Sequence, residues 1–236
     1  MDKIKVVAFD ADDTLWINEP YYRKAEKTFC SLFDNCLPEI DISAELYKTE
    51  MVNLEKYGYG IKGFVLSMIE TALRICDKTI STKIIEKIIN IGKELLELQI
   101  ELLGNIDEVL NALKDNYILI VATKGDLLDQ NRKLSNSGLK HYFHHIEVMN
   151  DKTEVEYLKL IKRLDIKSEE FLMVGNSLKS DIIPVISIGG QAIHIPYHTT
   201  WEHETVNNNK GFADQYQEIE NVTDLLNILN LGAIFG

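Results

Sequence analysis

Apolar and polar positions recur with two rhythms along this 236-residue chain. Short β-branched and apolar runs at 4–9, 117–122, 145–149, 171–174 and 191–195 read as strands. From about 105 onward helical patterns separate these runs and carry their own start signals. Asn105 with Glu108 and Thr153 with Glu156 have capping-box spacing, and Asp126 can cap a helix that stops at Gly138. Strands alternating with helices predict an α/β fold built on a doubly wound, Rossmann-like parallel sheet.

Between 17 and 103 the strand signals vanish. Residues 23–33, 43–56 and 64–76 mix charged and apolar positions at helical spacing. A longer helix begins at Ser81, with Ile84, Ile85, Ile88, Leu95, Leu98 and Leu102 as its apolar stripe. The chain is therefore expected to divide into a core of 1–16 and 105–236 and an inserted helical domain of 17–104. The polar stretch 199–217, with Trp201-Glu202-His203-Glu204 and Asn207-Asn208-Asn209, reads as a long surface loop. Residues 222–229 read as a final short helix packed on the sheet.

Composition narrows the function classes. A hydrophobic content of 45% is that of an ordinary globule with a sizeable core, and a net charge of −12 argues against nucleic acid or an anionic membrane as partner. The same charge means that an anionic ligand needs a cation and local lysines to reverse the field. The three cysteines, Cys30, Cys36 and Cys76, have no metal-ligand spacing and read as buried thiols in helices. Met1-Asp2-Lys3 leads directly into a strand, and no apolar run approaches the ~20 residues that span a bilayer, so a cytoplasmic setting is expected. Nothing in the sequence decides the oligomeric state.

The chemistry concentrates at strand ends. Asp10-Ala11-Asp12-Asp13-Thr14 follows the first strand, and in an open α/β sheet ligands bind at the carboxyl ends of strands. Two carboxylates crowded there repel unless a cation or shared proton neutralises them, which points to a hard divalent metal and a carboxylate nucleophile. Thr123 ends the second strand and Lys124-Gly125-Asp126 follow it. Lys152 directly precedes the Thr153–Glu156 box, where a helix N-terminus already favours an anion. Gly175-Asn176-Ser177-Leu178-Lys179-Ser180-Asp181 closes the series after the fourth strand.

Taken in order, these four elements resemble the motifs of the haloacid dehalogenase-like hydrolase superfamily: DxDxT, a strand-end Thr or Ser, a Lys, and GDxxxxD. The resemblance runs from the N-terminus to about Asp181, with one departure: Asn176 stands where the family carries its first aspartate in the last motif. It implies a Rossmann-like core with a helical cap inserted after the first motif. By the resemblance Asp10 is the nucleophile that forms an aspartyl-phosphate, and Asp12 is the general acid and base. Thr123 and Lys152 hold the phosphoryl group, and Asp10, Asp12, Asn176 and Asp181 ligate Mg²⁺. Asn176 offers an oxygen but no charge, which weakens the cation's hold.

Other residues remain two-sided. Asp13 and Thr14 are expected to fix the turn through their side chains. Lys124, where relatives often carry Asn, could add charge near the site or be a solvated surface lysine. Ser177 and Lys179 could line the phosphate side. Tyr57-Gly58-Tyr59-Gly60-Ile61-Lys62-Gly63 is either a plain interhelical turn or a substrate-contacting loop, with Tyr59 and Lys62 as its candidates. The expected function is a Mg²⁺-dependent phosphatase of a small phosphorylated metabolite. A haloacid dehalogenase, a phosphomutase, and a weakly catalytic binding or regulatory protein are the alternatives.

Overall fold

The computed structural model describes residues 3–33, 39–76, 80–205, 211–212 and 214–229. The chain forms two compact units, one of 1–19, 100–124 and 131–236, the other of 20–99 and 125–130.

The first unit is built on a six-stranded sheet: β1 (Val6–Phe9), β2 (Ile118–Lys124), β3 (His145–Met149), β4 (Phe171–Gly175), β5 (Gln191–His194) and β6 (Gln217–Glu218). Its spatial order is β3-β2-β1-β4-β5-β6, and every neighbouring pair is parallel. The helices of this unit include α5 (Ile106–Leu113), α7 (Glu154–Arg163), α8 (Ile183–Ser187) and α9 (Asp224–Ile228). One apolar layer packs Phe9, Val121 and Val174 with α5 and α9; another packs Ala8, Ile120 and Met173 with α7 and α8. With both faces covered, the central strands have to be continuously apolar, which is why they stand out in the sequence.

The order of strands reverses between β1 and β4. Phe9 pairs with Val121 on one side and Val174 on the other, and the Asp10 amide donates to the Val174 carbonyl at 2.9 Å. The carboxyl ends of these two strands form the sheet's switch point, where an open α/β fold leaves a crevice. Asp10 and Asn176 are the residues that leave it.

The second unit is helical: α2 (Glu39–Tyr57), α3 (Ile61–Ile75), α4 (Thr82–Glu97), most of α1 (Glu19–Ser31) and the start of α6 (Leu127–Asn136). Its apolar core joins Phe29, Phe33, Ile42, Leu46, Met68 and Ile88. Some of its buried polar side chains pair with one another. The Asn53 amide donates to Ser67 Oγ at 3.1 Å, and Thr71 Oγ1 to Thr49 Oγ1 at 2.9 Å.

Several expectations shift in detail. The long helix stops at Glu97, short of Leu102, which instead bridges to Trp16 in the first unit. The Asn105–Glu108 box does not form: Asn105 has φ 62° and makes no side-chain cap, so only its carbonyl serves the helix. Thr153 caps α7 as expected, accepting from the Glu156 amide at 3.4 Å, and Asp126 accepts from the Asp129 amide at 3.1 Å. Strand β6 was not legible as a two-residue edge. Cys36 and Asn207–Asn209 lie outside the described residues.

Candidate active site

The DxDxT turn folds tightly because its polar side chains satisfy backbone donors and one another. Asp13 sits in the left-handed region at φ 63°, which an aspartate tolerates better than most residues. Its carboxylate accepts from the Asn18 amide at 2.8 Å and the Glu19 amide at 2.9 Å, satisfying the first donors of α1. Burial pushes this carboxyl up to about 7 despite those two hydrogen bonds. Thr14 does more than hold the turn. Its hydroxyl lies 3.2 Å from Asp10 Oδ2 and 3.4 Å from Asn176 Oδ1, so oxygens from β1 and β4 share one point.

Lys152 stands between the two buried acids. Its Nζ is 2.5 Å from Asp10 Oδ1 and 2.5 Å from Asp181 Oδ1. Asp181 reaches this position by folding back over Gly175, and its Oδ2 accepts from the Ser177 amide at 3.0 Å. A Cβ on Gly175 would stand 2.3 Å from that oxygen, so glycine is required by space alone. Burial pushes the Lys152 ammonium down, but the Asp10 and Asp181 carboxylates outweigh it and hold the group above its ordinary value. Burial raises Asp10 to about 7, with Asp181 and Asp12 adding repulsion and Lys152 offsetting part of it.

Asp12 has partners of its own. Its Oδ1 accepts from the Trp16 indole at 2.7 Å and from the Lys133 ammonium at 2.9 Å. Lys133 also donates to Asn18 Oδ1 at 2.8 Å. None of these three partners was singled out from the sequence. The available signal was Lys133's place four residues after Asp129 and beside Leu134 on the buried stripe of α6.

The remaining candidates divide. Thr123 is buried at the end of β2, where its hydroxyl donates to the Lys124 carbonyl at 3.2 Å. Lys124 is not a solvated surface lysine: its Nζ lies 2.9 Å from Ser180 Oγ and 2.5 Å from Glu204 Oε1. Glu204 also accepts from Ser177 Oγ at 2.6 Å and Ser180 Oγ at 2.5 Å, and Lys179 reaches the His203 carbonyl at 2.8 Å. Thus Ser177 and Lys179 turn toward 203–204, and this part of the polar stretch is clasped rather than a plain surface loop. Burial opposes ionisation of Glu204, but Lys124 and the two serines hold its carboxyl at about 2. Asn176 is fixed from behind: its carbonyl lies 3.0 Å from His194 Nε2, whose Nδ1 is 2.8 Å from Glu218 Oε2. Tyr59 and Lys62 belong to the helical unit, where Lys62 pairs with Asp126 at 2.9 Å. Gly60 enters α3 at φ 108° beside that aspartate.

The donor set suits a hard cation. Asp10 Oδ2 and Asn176 Oδ1 both lie within hydrogen-bonding reach of Thr14 Oγ1, and every donor at this point is an oxygen. Among the described residues no three His, Cys, Asp or Glu side chains gather as a metal group. A cation here would have the Asp10 carboxylate and the Asn176 amide within reach, with main-chain or water oxygens of the kind Mg²⁺ accepts readily.

A doubly wound core with a buried Asp–Lys–Asp cluster at its switch point is the architecture of an α/β enzyme. The sequence profile of haloacid dehalogenase-like hydrolases matches residues 4–189, and the chain belongs to that family. A haloacid dehalogenase-like family hydrolase from Xanthomonas campestris is 35% identical, with a TM-score of 0.85 over 98% of this chain and 93% of that one. A glyceraldehyde 3-phosphate phosphatase of Methanothermobacter thermautotrophicus is 26% identical over 200 residues, which are 80% of this chain and 84% of the relative. A Bacillus subtilis protein described as a putative HAD hydrolase and solved bound to magnesium shares the fold at 18% identity, with a TM-score of 0.63 over 97% of this chain and 99% of that one.

Proposed function

We propose that this hydrolase is a Mg²⁺-dependent phosphatase of a small phosphomonoester, working through an aspartyl-phosphate on Asp10. The observation that carries the reading is the ammonium of Lys152 held 2.5 Å from both Asp10 and Asp181. A cation fixed against the nucleophile lowers its repulsion with an incoming phosphate and needs no reorganisation when charge moves. The phosphatase names of the curated relatives support the same class.

In this reading a carboxylate oxygen of Asp10 forms a bond to phosphorus as the ester P–O bond breaks. Asp12 gives its proton to the leaving oxygen. Water then forms the new bond to phosphorus, the bond to Asp10 breaks, and Asp12 takes the water's proton. Lys152 and Thr123 steady the phosphoryl oxygens. Asp10, Asn176 and Asp181, with the main-chain carbonyl of Asp12, would hold Mg²⁺. The ion would supply charge neutralisation for the carboxylate and the phosphate.

Unit two is read as the cap that selects the substrate, with Tyr59 and Lys62 as contact candidates; Lys124 is assigned instead to its clasp with Glu204. The setting proposed is cytoplasmic, without nucleic-acid or membrane partners; among the described residues no helix is long and apolar enough to cross a membrane. A panel of phosphorylated metabolites screened for phosphate release with Mg²⁺ tests the class. Release from one or more small phosphomonoesters is expected. Turnover of 2-haloacids without phosphate release from any ester would contradict it.

A further inference from the structure

We infer that Lys133 is a positioning residue that holds the carboxyl group of Asp12 in place for its proton transfers. The inference rests on the role assigned to Asp12 above. Lys133 is 8% exposed, and its Nζ donates at 2.9 Å to Asp12 Oδ1 and at 2.8 Å to Asn18 Oδ1. The Trp16 indole, fully buried, donates to the same Asp12 Oδ1 at 2.7 Å. An ammonium and an indole N–H are donors only. An oxygen that accepts from both is held as an acceptor, and Lys133 and Trp16 together set the orientation of the carboxyl group.

The geometry therefore fixes the carboxyl group against Trp16 and Lys133. In the first half of the reaction the Asp12 proton goes to the leaving oxygen as the ester bond breaks. In the second half Asp12 receives the proton released by the attacking water. Asn18 matters because it holds Lys133 from the other side, and Asp13 anchors the Asn18 amide at 2.8 Å. The turn, the start of α1 and α6 thus converge on one acid. Lys133 meets Asp12 and Asn18 in this arrangement, so its loss should act through Asp12.

Single-turnover release of the alcohol separates this role from a structural one. Good leaving groups need no proton, whereas alkyl leaving groups do. Lys133→Met is expected to slow an alkyl phosphate by about tenfold or more while an activated aryl phosphate slows by less than about threefold. KM should change little for either ester, and Lys133→Arg should restore most of the alkyl rate. Adding Lys133→Met to Asp12→Asn should cost nothing further, because the acid it positions is already gone. If Lys133→Met does not fold, Lys133→Gln is measured instead with the same expectation. Equal losses on both esters, beside a selective alkyl loss in Asp12→Asn, would overturn the inference and leave the function standing. Equal losses in Asp12→Asn itself would overturn the acid role and this inference with it.

Discussion

Lys152 and Asp181 form a buried ion pair, Nζ to Oδ1 2.5 Å, in which each side chain is 1% exposed. The same ammonium meets Asp10, so one cation separates two acids that would otherwise repel in a dry environment. Breaking such a pair by removing one partner leaves uncompensated buried charge. Lys152→Met is expected to destabilise the apoprotein by about 3–5 kcal/mol in urea unfolding. An unchanged midpoint would show that the three groups do not share a buried site.

Gly175 owes its place to Asp181. An added methyl would lie 2.3 Å from Oδ2 and 2.4 Å from Cγ, closer than any real contact. Gly175→Ala should push the carboxylate off the Ser177 amide and away from Lys152. A displacement of ~1 Å near the chemistry can cost ~10²-fold, and a loss of that order in turnover is expected. Turnover within threefold of the parent, with Asp181 still on Lys152 in a crystal structure, would contradict the packing argument.

Asn176→Asp adds a charge where Thr14 already joins Asn176 to Asp10. At an effective dielectric of ~20, unit charges ~4 Å apart interact by about 4 kcal/mol before desolvation offsets part of it. Two opposite effects follow. Without metal the variant should melt lower, because another carboxylate faces Asp10. With Mg²⁺ its calorimetric affinity should exceed the parent's. Unchanged magnesium affinity would place Asn176 away from the ion.

Glu204 gives a pH dependence with a definite sign. Its folded carboxyl is held at about 2 against an ordinary 4.5. The stabilisation is therefore fully present above pH 4.5 and is lost as pH falls toward 2. The shift corresponds to on the order of 3 kcal/mol at neutral pH. Glu204→Gln should lower the melting temperature clearly at pH 7, and the gap to the parent should narrow steadily below pH 4.5. A gap that stays constant through that range would remove the ion pair with Lys124 as its cause.

What was legible in the sequence follows from what is local. Strands β1, β2, β4 and β5 are largely buried and announce themselves as apolar runs, while β6 is two residues at an edge and has no pattern to read. Asp10 and Lys152 were legible because each adjoins an element with a clear boundary, and Asp181 because it closes the motif that begins at the end of β4. The Asn105 box failed because a backbone at φ 62° turns the side chain from the amides it would cap. Lys133 and Glu204 were not legible for a different reason. Lys133 meets Asp12 across 121 positions and Glu204 meets Lys124 across 80, and only the fold brings those residues together.

The central claim is that Asp10 carries the phosphoryl group. Rapid acid quench of the enzyme with an activated aryl phosphate and Mg²⁺, followed by peptide mapping, tests it most directly. The account predicts a phosphoryl group on the peptide containing Asp10, absent in Asp10→Asn, with turnover of that variant lower by on the order of 10⁴. Phosphate release with no phosphorylated chain at any quench time, and Asp10→Asn turning over within tenfold of the parent, would contradict it.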